Sequence, residues 1–70
     1  MYVWDANKSE YVEANEELKQ FFKDIEDVCK KHGYSISHED GHGAFMIEEY
    51  SEFNINWLKN AHLCLNKVAR

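Results

Sequence analysis

The chain has no proline, only three glycines and only two cysteines among its 70 residues, and each scarcity removes a class of structure. Without proline or glycine-rich stretches there is no flexible linker and no low-complexity segment. With 44% hydrophobic residues and ten aromatic side chains, the composition is also too apolar for a disordered tail. Cys29 and Cys64 are too few for the disulfide framework of a small secreted domain, and no Cys-x-x-Cys pair is present. Both are expected to be reduced and buried as small hydrophobes. The longest apolar run, Ala44-Phe45-Met46-Ile47, is four residues, far below the ~20 needed to span a bilayer. The opening Met1-Tyr2-Val3-Trp4-Asp5 lacks the basic and apolar regions of a signal peptide, which leads to an expected cytoplasmic location. The length allows one domain, residues 1–70, whose thin core would profit from self-association.

Positive charge is also locally absent. Between His32 and Leu58 the chain carries Glu39, Asp40, Glu48, Glu49 and Glu52 with no lysine or arginine, whereas the flanking segments cancel. The whole net charge of −5 therefore belongs to the middle of the sequence. An acidic surface repels phosphate backbones, so direct nucleic-acid binding is not expected, and neither is a membrane partner.

Hydrophobic spacing divides the chain into three parts. Ser9 as N-cap, Glu10 and Glu13 in a first turn, and Lys30, Lys31 and His32 before Gly33 predict a helix over residues 10–32. Its apolar residues fall in one arc of roughly 120°. The period then changes to two. Tyr34-Ser35-Ile36-Ser37-His38, an Asp40-Gly41 turn and Ala44-Phe45-Met46-Ile47 predict a β-hairpin with Tyr34, Ile36, Phe45 and Ile47 on one face and Ser35, Ser37, Met46 and Glu48 on the other. A two-residue loop would pair Ile36 with Phe45, and a four-residue loop through Gly43 would pair Ile36 with Ile47. Ser51 is placed to cap a second helix over residues 52–68, whose apolar arc of roughly 200° is wider than one packing surface requires. Tyr2-Val3-Trp4 is a candidate third strand beside the hairpin. The expected class is α+β: long helix, hairpin, C-terminal helix.

Little in the chain suggests catalysis. No nucleophile elbow, phosphate-cradling loop or metalloprotease signature is present. His38, Asp40 and His42 at the hairpin tip are ordinary zinc-ligand types, but one His-x3-His interval across a glycine turn does not make a metal site. No enzyme activity, cofactor or metal is expected. Binding is the remaining class. Large aromatic residues favour interface cores, which makes Tyr50 and Trp57 the anchor candidates beside the five hairpin acids Glu39, Asp40, Glu48, Glu49 and Glu52. Leu58 and Leu65, on the wide second arc, are the candidates for a homodimer interface.

Gly33-Tyr34, Gly43-Ala44-Phe45-Met46-Ile47, Tyr50 and Asn54-Ile55-Asn56-Trp57-Leu58-Lys59-Asn60-Ala61 together resemble the hairpin-plus-helix end of short accessory proteins of tailed phages. The resemblance covers structural positions and brings no catalytic residue. It implies a non-enzymatic inhibitor that blocks a host protein or defence factor stoichiometrically, in the host cytoplasm, through a basic surface on that protein. The alternatives are a binder or sponge for a nucleotide signal, using Trp57, His38 and His42 in a dimer groove, and a structural oligomer subunit.

Overall fold

The computed structural model describes residues 1–65 as strands β1 (Tyr2–Asp5) and β2 (Glu10–Glu13), helix α1 (Glu16–His32), strands β3 (Tyr34–His38) and β4 (Phe45–Glu49), and helix α2 (Glu52–Lys59). The fold is α+β, with two separate two-stranded antiparallel sheets. None of the helices among the described residues is long and apolar enough to cross a membrane.

The first helix starts six residues later than its spacing predicts. Asp5 Oδ1 accepts the backbone N–H groups of Asn7 at 2.9 Å and Lys8 at 3.1 Å, an Asx-type turn that reverses the chain before a helix can start. Ser9 is not a cap; it sits in that turn at φ 53°. Residues 10–13 then return as a strand, with Val3 opposite Val12 and Trp4 opposite Tyr11. Tyr2-Val3-Trp4 is thus a strand, but of its own hairpin and not of the β3–β4 sheet. Asn15 is the true N-cap, its Oδ1 accepting Leu18 N–H at 2.8 Å. Glu16 and Glu17 fill the first turn and Lys30, Lys31 and His32 the last, each set placed to suit the helix dipole. Gly33 ends the helix at φ 74°, its N–H bonded to the Cys29 carbonyl.

The core is small. Val3, Ala14 and Phe22 are buried together, with Val12, Leu18, Leu58 and Leu63 packed around them. The N-terminal hairpin thereby closes over α1. Each large side chain so buried contributes about 1.5–3 kcal/mol. Cys29 and Ile55 are buried on α1 and α2, which pack on each other and on β3.

The second helix is shorter than its spacing predicts and ends at Lys59. Leu63 instead joins the first sheet: its N–H donates to the Trp4 carbonyl and its carbonyl accepts from Ala6, both at 2.7 Å. Those bonds require extended backbone, so the wide apolar arc divides between a short helix and a strand-like segment. Cys64 is consequently exposed, unlike buried Cys29. Lys67, Val68 and Arg70, assigned by spacing to the end of that helix, lie outside the described residues.

The β3–β4 hairpin adopts the four-residue-loop register, with Ile36 opposite Ile47 and His38 opposite Phe45. The four residues grouped by alternation do share a face, and it is the outer one. Ser35 and Ser37 face inward at 0% and 9% exposure, while Tyr34, Ile36, Phe45 and Ile47 face outward. A polar seam explains why the serine face is the inner one. Buried Asn54 of α2 donates its side-chain N–H to Ser35 Oγ at 2.9 Å, and Ser35 Oγ donates to the Glu49 carbonyl at 2.7 Å. Ser37 donates to the Glu48 carboxylate. Every buried polar side-chain atom among the described residues has a partner, which makes this inner face tenable. Serine is also small enough to let both helices approach β3.

Candidate functional site

The acids and aromatics singled out by sequence lie along the β3–β4 hairpin and on α2. The hairpin tip is organised around Glu39. Its carboxylate accepts the backbone N–H groups of Gly41 at 2.6 Å and His42 at 2.8 Å, and contacts the His42 ring Nδ1 at 2.9 Å. The His42 side chain foremost, aided by those backbone donors, holds Glu39 below the usual carboxylate range. Gly43 turns the loop at φ 72°, a conformation disfavoured for residues with a Cβ. Glu39 is therefore occupied within its own loop, and Asp40 projects outward with its side chain 85% exposed.

The other three acids are dispersed. Glu48 is engaged by Ser37 on the inner face. Glu49 is exposed on the outer face at the base of the hairpin. Glu52 starts α2 and accepts the Tyr50 hydroxyl at 3.1 Å. Burial pushes the Tyr50 phenol up, and the Glu52 carboxylate reinforces it. Five residues at ~3.3 Å each separate base from tip by about 15 Å, so the acids form no single patch.

The fold also brings cations to the base that the linear charge count does not show. Lys30 pairs with Glu26 at 3.1 Å, and its raised pKa reflects that partner first and then the nearby Tyr50 and Glu52. Lys59 reaches the same Glu26 at 2.8 Å. Negative field is consequently offset at the base and left open at the tip.

Trp57 is half-exposed on α2. Its ring lies 4.8 Å from the His38 ring at 35°, and 6.2 Å from that of Phe53. His38 Nδ1 is 3.4 Å from Asp40 Oδ1, an ion pair whenever the imidazole is protonated. Beside this stack runs a groove of about 350 Å³ between the hairpin and the end of α2. Ile36, Phe45, Trp57, Leu58 and Ala61 supply its apolar lining, with polar edges at Ser37, His38, Asn54, Asn60 and His62. No lysine or arginine among the described residues lines it. Such a cleft suits an apolar or aromatic side chain better than a phosphate, which requires cations or a cradle of backbone N–H groups.

Trp57 and His38 are thus brought together, whereas His42 remains on the tip, 88% exposed against Glu39. His62 takes the third position and also lies 6.2 Å from Trp4. Sequence reasoning passed over His62 because residues 60–62 were assigned to a helix. It also passed over Asn54, although a carboxamide within an apolar helical stripe is the usual sign of a buried hydrogen-bonding role. Leu58 packs against the Val3–Ala14–Phe22 cluster, and Leu65 is exposed at 63%. Among the described residues no three His, Cys, Asp or Glu side chains converge as metal ligands.

No protein-family model matches this chain, and neither a curated protein nor a solved structure matches it.

Proposed function

We propose that this chain is a small acidic, non-enzymatic binding protein that captures a protein partner stoichiometrically, of the kind the phage resemblance implies: an inhibitor of a host protein or defence factor. The observation that carries the reading is the apolar groove at Trp57, lined by no lysine or arginine among the described residues and lying beside a hairpin tip whose outward acid, Asp40, has no lysine or arginine near it in sequence. A partner that fits has a basic surface with one projecting apolar or aromatic side chain. The acids accelerate encounter and select the partner, while the groove supplies lasting affinity through a desolvated anchor. Tyr50 and Glu52, joined by their hydrogen bond at the base, form the outer limit of that surface.

The test is capture from native lysate by the immobilised chain, run beside Trp57→Ala and Asp40→Lys. The expected result is one protein retained by the parent chain, lost with Trp57→Ala and weakened, with a smaller salt dependence, by Asp40→Lys. Retention of a nucleotide, or of a protein indifferent to both substitutions, would overturn the reading.

A further inference from the structure

We propose that a second copy of this chain covers the outer face of the β3–β4 hairpin, with the tip of one hairpin over the base of the other. The inference goes beyond the partner reading and shares Ile36, Phe45, Trp57 and Asp40 with it, so a second copy and the partner would compete for this surface; it is tested on the purified chain alone.

The outer face is an apolar sheet surface that is largely uncovered among the described residues, with Trp57 against His38 at one edge. Tyr34, Ile36, Phe45 and Ile47 are 60%, 42%, 81% and 66% exposed. Phe53 and Trp57 extend this surface from α2 at 74% and 40%. At roughly 200 Å² for a large apolar side chain, these six leave about 700 Å² uncovered. A standard interface removes about 800 Å² from each partner, whereas a monomer rarely leaves so large a contiguous apolar patch uncovered without a use for it. A second identical face supplies the matching area, because sheets stack face to face at about 10 Å with interdigitated side chains.

Charge chooses between the two ways such faces can meet about a twofold axis. Tip over tip sets Glu39 and Asp40 against the same two acids of the other copy, which is repulsive. Tip over base parts the two pairs of tip acids and brings Asp40 to the partner's base, which carries Glu49 and Glu52 but also Lys30, Lys31 and Lys59, with Lys31 the cation assigned to Asp40. Lys31 is exposed at the end of α1, three residues before Tyr34 begins β3, and it makes no ion pair among the described residues. The same arrangement lays Glu49, the one carboxylate on this face, near the partner's His38 and away from the partner's Glu49. The central apolar side chains of the two copies then meet across the axis.

Sedimentation velocity from 1 to 300 µM, with circular dichroism to verify folding, tests the proposal. The parent chain is expected to pass from 8 to 17 kDa over that range. Phe45→Lys and Ile47→Lys, at sites already exposed in one copy, should each fold and weaken dimerisation at least tenfold. Asp40→Lys and Lys31→Glu should each weaken it several-fold, and the double exchange should restore it. A parent chain that remains at 8 kDa throughout, or a dimer indifferent to both lysine substitutions, would overturn the proposal. A double exchange no better than the single ones would overturn the tip-over-base arrangement.

Discussion

Replacing Ser35 by valine puts the inward-facing serine seam to its most direct test. Hydrophobic pattern alone treats a wholly buried serine on a strand as a place where valine should stabilise. The structure gives the opposite sign. Ser35 Oγ accepts from Asn54 at 2.9 Å and donates to the Glu49 carbonyl at 2.7 Å. Valine removes both bonds and leaves the amide of Asn54, itself 6% exposed, without that acceptor. An unsatisfied buried polar group costs about 1–3 kcal/mol and each lost neutral bond about 1 kcal/mol, while the two added carbons return about 1.6 kcal/mol. The net loss is about 2 kcal/mol. At 4–8 °C per kcal/mol for a domain of this size, the melting temperature should fall by roughly 8–16 °C. Thermal and urea denaturation followed by circular dichroism, at matched protein concentration because association is linked to stability, reads this directly. Ser35→Val combined with Asn54→Leu removes donor and acceptor together, so it should cost less than the two single changes added. An unchanged or raised melting temperature for Ser35→Val, or strict additivity in the pair, would refute the account of the seam.

Three further outcomes follow from other parts of the molecule. Gly33→Ala should destabilise by about 1 kcal/mol, because φ 74° is strained for alanine although no atom lies within 4 Å of the added Cβ; an unchanged urea midpoint would contradict it. Lys59 first, and then Lys30, hold Glu26 below the ordinary carboxylate value of 4.5. Its stabilising contribution is therefore present above that value and lost as pH falls through the lower folded one, so Glu26→Gln should flatten the acid limb of the stability–pH curve, and a parallel curve would show the triad to be inert. Cys64 should react with a thiol reagent in the native protein while Cys29 reacts only after unfolding, which mass spectrometry of the labelled peptides resolves.

The elements were legible where two independent signals agreed. The C-terminal end of α1 was marked by Lys30, Lys31 and His32 followed by Gly33, and the hairpin by its two-residue period and glycine turn. Where one signal stood alone it misled. Tyr11, Ala14 and Leu18 fit a helical stripe, but Tyr11 is on a strand, because the Asp5 turn is a side-chain to backbone arrangement that spacing does not reveal. The direction of the hairpin was illegible for a different reason. Alternation establishes that two faces differ, and assigning the apolar one to the interior assumes that the interior partner is apolar. Here the partner is Asn54, nineteen positions from Ser35. For the candidate site, Trp57 and His38 were found as individual residues, but their pairing required the crossing of α2 with β3.

The placement of the helices also sets the order in which the molecule can come apart. Both α1 and α2 pack on β3, while β4 makes its extensive contacts with β3 alone. Separating β4 breaks one ladder of backbone bonds and opens the serine seam while leaving both helices on β3. Amide hydrogens on β4 should then exchange through a local opening that costs less than global unfolding, with those of β3 and α1 retained for longer. The strand that carries Phe45 and Ile47 is thus the part of the fold most readily lent to another chain.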